Sequence, residues 1–502
     1  MRTFLDRLTG RVTMYRLMLY VLSGIFVIAL VLSFIPGGLA YQPLQLIASL
    51  AVLLVATYLS NRLFALIFRV RPHAESSNIT AFLLLFLFFP TVEPQGLGIL
   101  ALIAVIASAS KYLLAIRGRH IFNPVAIAAV IIALTQLSGA TWWVATPYLL
   151  APVAIGGFLV VYRTRRFALV GLFLLIAFVL STLRFTLGGM DVATAAWTVV
   201  GSAPLVFFAV FMLDEPLTLP PLRWQQLVFA ALVAVLYSVP YVIGPFRTSP
   251  ELALVVGNVL AFASGQRRSV RLRYVGSRQL TPGARELEFA ASAPLRFRPG
   301  QYLELALPHS KADSRGVRRT FSIASAPGAE QVAVGLRLPE ESSTFKRQLR
   351  TLEPGTTLRA TAVGGDFTLP TDVRVPLLLV AGGIGITPFV SQLRHLADSG
   401  EQRDIVLVYA VSSSEELAYA EELAASGLPV LVTAPTAPAG MPDAWEYLGP
   451  GRLDASLLVS RVPDLTARTA YVSGPPALVT SLTRQLRELG VRRIRTDYFS
   501  GY

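Results

Sequence analysis

The sequence predicts a multidomain chain: a polytopic α-helical membrane domain over residues 1–266, an antiparallel β-barrel over 267–372, and a doubly wound α/β domain over 373–502. Apolar runs long enough to span a bilayer crowd the first half and stop near Gly265. Short runs of alternating character, separated by Pro-Gly turns, follow from about Ser269. From Leu377 onward, apolar strand-like runs alternate with amphipathic stretches, the pattern of a parallel sheet wound by helices.

Composition narrows the class. At 502 residues the chain is too long for one ordinary domain, and 54% hydrophobic against 15% charged residues is a membrane-protein balance. The formal charge of +14 is not a nucleic-acid footprint, since much of it is arginine beside apolar segments. With no cysteine, disulfides and all-thiolate iron–sulfur or zinc sites are excluded within the chain. His73, His120, His309 and His395 are too scattered for a bis-histidine haem, and no metal site is expected.

The first apolar run is long and follows a basic leader, so it reads as an anchor rather than a cleavable signal peptide. Ten spans are expected, at about 17–35, 43–68, 79–90, 97–115, 121–137, 146–162, 167–183, 193–213, 225–243 and 251–264. Arg69 and Arg71, Arg117 and Arg119, and Arg163, Arg165 and Arg166 follow the second, fourth and sixth spans. The alternate loops, such as IPGGLAYQP and PTVEPQG, are almost uncharged. That alternation places both termini in the cytoplasm, where NADH and NADPH are found.

The stretch LLLVAGGIGITPFV, Leu377 to Val390, carries the clearest chemistry. Gly382, Gly383 and Gly385 at a strand end, followed by Ile386, Thr387 and Pro388, let a pyrophosphate approach the backbone and a helix N-terminus. A ligand-free strand–helix turn would look the same. RRTFSIAS (Arg318 to Ser325) lies upstream and YVSGPPALV (Tyr471 to Val479) downstream. This ordered trio resembles the ferredoxin-reductase-like flavoprotein family.

The resemblance implies FAD on the barrel and NAD(P)H on the α/β domain. The family's Arg-x-Tyr-Ser/Thr string is matched by Arg319, Phe321 and Ser322, flanked by Arg318 and Thr320. It implies Arg319 on the FAD phosphate, the Phe321 ring on the isoalloxazine and Ser322 near flavin N5. Phe for Tyr keeps the stacking face and loses a hydroxyl. Arg315 and Arg318 would lie beside the pyrophosphate. Ser342, Ser343 and Thr344 precede a short helix as a cap and phosphate platform. Lys346 is either a phosphate partner or a solvated lysine. GGDFTLP, with Gly365 and Phe367, resembles the family's barrel-closing turn.

On the nucleotide side the resemblance adds Ser473, where the family commonly has cysteine, with Gly474 and Pro475. In the tail DYFSGY, Phe499 or Tyr502 could cover the flavin. The segment YAVSSSEELAY has no arginine for a 2′-phosphate, which favours NADH, while Ser412 to Ser414 leave NADPH open.

Three strings interrupt the membrane half. GRHIFNPVAI holds Phe122, Asn123 and Pro124, and FMLDEPLTLP holds Asp214, Glu215 and Pro216. Each alone marks a helix end. Together they resemble the RnfD membrane component of the Rnf electron-transport complex and the NqrB component of sodium-translocating NADH:quinone reductase, with Val125 and Glu215 as departures. That resemblance implies a membrane domain that holds flavin and passes electrons. In LSGATWWVATP, Thr141 stands where those families carry phosphoester-linked FMN, although Thr135 replaces the usual acidic residue. Trp142 and Trp143 also read as an interfacial aromatic belt.

The expected protein is a membrane-bound NAD(P)H-oxidising flavoprotein. Electrons would pass from cytoplasmic NAD(P)H through FAD to a membrane flavin and on to an extracytoplasmic flavoprotein or quinone. A relay is required across ~30 Å of hydrocarbon. A redox-driven ion pump and a transporter-like domain with a regulatory reductase are the alternatives. Membrane lipid is the other expected partner, and nucleic acid is not one.

Overall fold

The computed structural model describes residues 12–70, 74–116, 119–264, 270–309, 317–340, 342–451 and 453–499. It forms two compact units, Met1–Gly265 and Gln266–Tyr502.

The first unit is helical: α1 (Met14–Ser33), α2 (Pro43–Ile67), α3 (Ala74–Leu87), α4 (Pro94–Leu113), α5 (Pro124–Leu134), α6 (Pro147–Thr164) and α7 (Phe167–Leu187). Then come α8 (Val192–Gly201), α9 (Leu205–Met212), α10 (Arg223–Ser238) and α11 (Pro250–Ser264). Among the described residues, α1, α2, α4, α6 and α7 are long and apolar enough to cross a membrane, which associates this unit with one. A sixth is added if α8 and α9, bent by 48° at their break, count as one span.

The expected ten spans are therefore corrected. The segments 79–90, 121–137 and 251–264 fall in apolar helices of only 10–17 residues, and α10 has 16, short of the ~20 a bilayer requires. The reason is burial. Ala81 to Leu87 on α3 and Val125 to Val130 on α5 are buried, so their apolar character faces protein rather than lipid.

The broken end of α3 is sealed by the loop before α6. The Leu87 carbonyl accepts from Thr141 N at 2.7 Å and Trp142 N at 3.0 Å. The Trp143 indole donates to Leu85 O. Trp142 and Trp143 are only 6% and 5% exposed. This corrects the aromatic-belt reading: the two rings fill the interior because the free carbonyls of a helix ending inside the unit must find donors.

The second unit holds two sheets. The first runs antiparallel in the order β4-β3-β6-β1-β2-β5, from β1 (Val270–Thr281), β2 (Ala284–Ala291), β3 (Tyr302–Ala306), β4 (Arg318–Ser322), β5 (Gln331–Arg337) and β6 (Thr357–Gly364). Its edge strands meet through one bridge, Ile323 with Val334. The second sheet is parallel, in the order β10-β9-β8-β7-β11-β12. Its strands are β7 (Leu377–Gly382), β8 (Ile405–Ala410), β9 (Val430–Thr433), β10 (Trp445–Tyr447), β11 (Thr469–Gly474) and β12 (Ile494–Tyr498). The helices of this unit are α12 (Thr344–Arg350), α13 (Thr387–Ser399), α14 (Ala420–Ala425), α15 (Ala455–Val459) and α16 (Pro476–Glu488).

Side chains alternate along β7. Leu377, Leu379 and Ala381 join one apolar core, and Leu378 and Val380 the opposite one. A run buried on both faces is the signature of a central parallel strand. The strand order reverses between β7 and β11. Ligands of open α/β sheets bind outside the carboxyl ends of strands at such a reversal.

Candidate functional site

At that reversal two glycine turns interlock. β7 ends at Gly382, and a single 3-10 turn, Gly383–Ile386, leads into α13. A Cβ on Gly385 would sit 2.6 Å from Gly474 Cα and 2.7 Å from Ser473 O. Gly474, at φ +147°, leaves only 3.0 Å to Gly382 for a Cβ of its own. Gly383 is different: its φ is +53° and nothing stands within 4 Å of its missing Cβ, leaving room for a ligand over half-buried backbone. The Thr387 hydroxyl donates to Ile384 O at 2.8 Å, and Pro388 occupies the first turn of α13. Pro475 precedes α16.

Ser473 is fully buried, and its Oγ has no hydrogen-bond partner among the described residues. Strand register sets it beside Ala381 on β7 and Asp497 on β12. Burial pushes the Asp497 carboxyl up to about 6, and Asp366 nearby adds to the shift. Asp497 was not foreseen; its one sequence signal is an acid just before the aromatic tail. Phe499 N donates to Gly474 O at 2.8 Å, which ties the tail to the same turn. Tyr502 and Arg315 lie outside the described residues.

The flavin candidates gather on the antiparallel sheet. Alternation on β4 gives Arg319 and Phe321 one face. Both meet Phe345: Phe321 stacks at 6.1 Å and 28°, and the Arg319 guanidinium lies 5.2 Å from the ring centroid. Ser322 is buried opposite Tyr302, Thr320 is exposed opposite Glu304, and Arg318 stands 3.6 Å from the Glu304 carboxylate. Ser343 caps the seven-residue α12, accepting from Lys346 N at 3.3 Å. His309 Nε2 meets Thr344 Oγ1 at 3.1 Å, and the buried Ser342 hydroxyl has no partner among the described residues. Two guanidiniums, an aromatic face and buried hydroxyls fit a flavin with its pyrophosphate.

Gly365, at φ +105°, closes over the Tyr302 ring, and its carbonyl accepts from Gln301 Nε2 at 2.8 Å. Phe367 instead packs between Phe389 of α13, at 5.4 Å, and Tyr471 of β11, at 5.2 Å. Helix α13 binds the two sheets together. Ser391 Oγ donates to Ser325 O at 2.8 Å, Gln392 Nε2 to Phe367 O at 2.8 Å, and Arg394 reaches Glu286. The strand carrying Phe321 and Ser322 is thereby held to the helix that leaves the glycine turn.

In the first unit the two polar strings meet. Asn123 Oδ1 caps α5 through Val125 N (3.0 Å) and Ala126 N (3.1 Å), ahead of Pro124 in the first turn. Asn123 N donates to Asn258 Oδ1 at 2.8 Å, and Asn123 Nδ2 lies 3.5 Å from Met212 O. His120 pairs with Glu215 at 3.0 Å. The buried Asp214 carboxylate accepts from Thr164 Oγ1 at 2.6 Å and Arg166 Nη1 at 3.0 Å. Thr141 is half-buried, and its hydroxyl donates to Leu87 O at 3.1 Å. Lys111 was missed, although a lysine near the end of an apolar run was a visible signal. Its ammonium donates to Ser76 O, Ser76 Oγ and Thr80 Oγ1 at 3.2, 3.1 and 2.8 Å.

Residues 379–484 match the oxidoreductase NAD-binding domain family. The chain is 33% identical over 237 residues to ferredoxin–NADP reductase B of Sorangium cellulosum, covering 44% of this chain and 93% of that one. It is 28% identical to an NADPH oxidoreductase of Mycobacterium tuberculosis, over 46% of this chain and 60% of that one. A solved structure, a ferredoxin NADP+ reductase from Neisseria gonorrhoeae with bound FAD and NADP, is 20% identical at a TM-score of 0.39, over 46% of this chain and 99% of that one.

Fold, site and relatives define an NAD(P)H-dependent flavin oxidoreductase that uses FAD and NAD(P)H. The chain belongs to the ferredoxin–NADP reductase family.

Proposed function

We propose that the whole chain is a multi-pass protein of the cytoplasmic membrane that oxidises cytoplasmic NAD(P)H. Electrons leave FAD for a flavin or quinone in the helical unit, and then reach an extracytoplasmic flavoprotein or quinone. The observation that carries this reading is the glycine turn at the sheet reversal, tied by α13 to the Arg319–Phe321–Ser322 strand, in one chain with long apolar helices. Bound FAD supplies hydride acceptance and release of electrons one at a time. Arg318, Arg319 and the Ser342–Thr344 segment hold its phosphates, Phe321 and Phe499 bracket its ring system, and Ser322 stands at its reactive edge. Gly382, Gly383, Gly385 and Gly474 admit the nicotinamide nucleotide, with Ser473 beneath the nicotinamide.

The resemblance of the helical unit to RnfD and NqrB gains support from the meeting of its two strings through Asn123, Met212, His120 and Glu215. The basic residues ahead of α1, with Arg69 and Arg71 after α2, support a cytoplasmic N-terminus. Thr141 is the proposed attachment point of FMN, and its modification requires release of the hydroxyl from Leu87 O.

Flavin content of the detergent-solubilised full chain, before and after acid precipitation, tests this, with Thr141→Ala as control. Two flavins, one left on the precipitated chain and lost in the variant, support the transmembrane path. One released FAD per chain, with none retained, sinks the covalent assignment and turns attention to the regulatory-reductase alternative. Sodium-dependent turnover would favour the ion pump.

A further inference from the structure

The residue that chooses between NADH and NADPH is legible in the loop after β8. That strand is the parallel neighbour of β7, with Ala410 in register with Gly382, so residues 411–416 emerge beside the glycine turn. In sheets of this type an acidic group beyond a strand end holds the ribose 2′-hydroxyl of NADH, whereas a guanidinium there accommodates the 2′-phosphate of NADPH. Both groups are present here, and they neutralise each other. Glu416, at the end of the 3-10 turn Ser414–Glu416, accepts from Arg337 Nη2 of β5 through Oε1 and from the Ser412 hydroxyl through Oε2.

The surrounding charge is one-sided. From Val411 to Gly440 the sequence has no lysine or arginine and four glutamates, 415, 416, 421 and 422, in a chain of net charge +14. Of these, Glu422 is taken up by Arg278 and Arg394. Ser413 caps the turn, and Ser414 accepts from Thr436 Oγ1 at 3.1 Å. A dianionic phosphate arriving here would meet carboxylates and a guanidinium already engaged.

We infer that Glu416 selects NADH by accepting the ribose 2′-hydroxyl, and that Arg337 positions this carboxylate while being withheld from a 2′-phosphate. The inference rests on the reading of the glycine turn as the NAD(P)H site and names its substrate. It also implies that the selectivity is poised: removing the carboxylate releases a ready-made phosphate ligand.

The test is anaerobic reduction of the bound flavin in the full-length, detergent-solubilised chain, with NADH and NADPH as separate reductants. Wild type is expected to favour NADH by about tenfold or more in rate over dissociation constant. Glu416→Ser is expected to lose NADH efficiency and gain at least about tenfold with NADPH, and Glu416→Ser with Arg337→Ala to lose that gain. Flavin content reports folding, and Glu416→Gln offers a closer replacement if the serine variant loses flavin. Preference for NADPH in wild type, or an unchanged ratio in both Glu416 variants, overturns the inference. A gain that survives loss of Arg337 overturns the part given to that residue. Reduction by neither nucleotide overturns the proposed function itself.

Discussion

Arg394, two turns into the helix that leaves the glycine turn, grips the carboxylate of Glu286 on the neighbouring sheet with contacts of 3.0 and 3.3 Å. Glu286 has a side chain only 3% exposed, and Glu422 and Arg278 complete a four-charge cluster. Removing Arg394 leaves the buried Glu286 with Arg278, at 3.3 Å, as its remaining cation, a loss of about 2 kcal/mol in charge-assisted hydrogen bonding. Arg394→Ala should therefore release flavin at a lower temperature in a fluorescence melt. Arg394→Lys should recover only part, because an ammonium cannot fork across both oxygens.

Gly385→Ala drives a methyl group into the Gly474 backbone at 2.6 Å. The two turns must part, at a cost of about 1–3 kcal/mol. The expected outcome is weaker NAD(P)H binding by about tenfold with FAD content unchanged, read by nucleotide titration of the flavin spectrum.

Asp497 gives a pH signature. Its folded-state pKa is raised to about 6, so the folded chain holds this proton more tightly than the unfolded chain. Stability from the neutral carboxyl is present at low pH and is lost as pH rises from the ordinary carboxylate range through about 6. Asp497→Asn should melt higher than wild type at pH 7.5, with the difference shrinking towards zero near pH 4. An equal difference at both values would show that the proton is not held there.

The Ser473 hydroxyl is buried without a hydrogen-bond partner among the described residues, so Ser473→Ala should leave the melting temperature almost unchanged. Loss of one hydrogen bond to bound nucleotide, about 1 kcal/mol, should slow flavin reduction several-fold in a single-turnover measurement. A large loss of stability with unchanged reduction would assign the residue to packing.

In the helical unit, Arg166→Ala would strip the buried Asp214 of its cation, leaving Thr164 as its remaining side-chain partner among the described residues. A destabilisation of about 3–5 kcal/mol is expected, measured as earlier aggregation of the detergent-solubilised chain on heating. Asp214→Asn in the same background should restore part of it, because the uncompensated charge is then gone.

Particular residues show what was legible as local pattern. Leu377 to Pro388 was legible because a doubly buried strand needs a continuous apolar run and its turn needs glycine. Arg319, Phe321 and Ser322 were legible as a short ordered string. Phe367 was not: its ring belongs to the core shared with Phe389 and Tyr471, and no local pattern distinguishes that from a flavin contact. The partners Glu286 and Arg394, 108 residues apart, and the register of Ser473 with Asp497 are long-range facts. The span count failed because hydropathy measures transfer out of water and is blind to whether lipid or protein receives the side chain.

The sequence by itself determined that the chain is multidomain, with long apolar helices in its first half and a ferredoxin-reductase-like part after them. Strand, helix and turn signals are local, and glycine, proline and apolar periodicity write them into a few consecutive residues. Tertiary structure alone decided which helices end inside the first unit, that Trp142 and Trp143 lie in its interior, and that Arg337 meets Glu416. Such outcomes depend on which distant groups satisfy buried carbonyls and charges. Burial makes that satisfaction obligatory, while only the assembled fold names the partner.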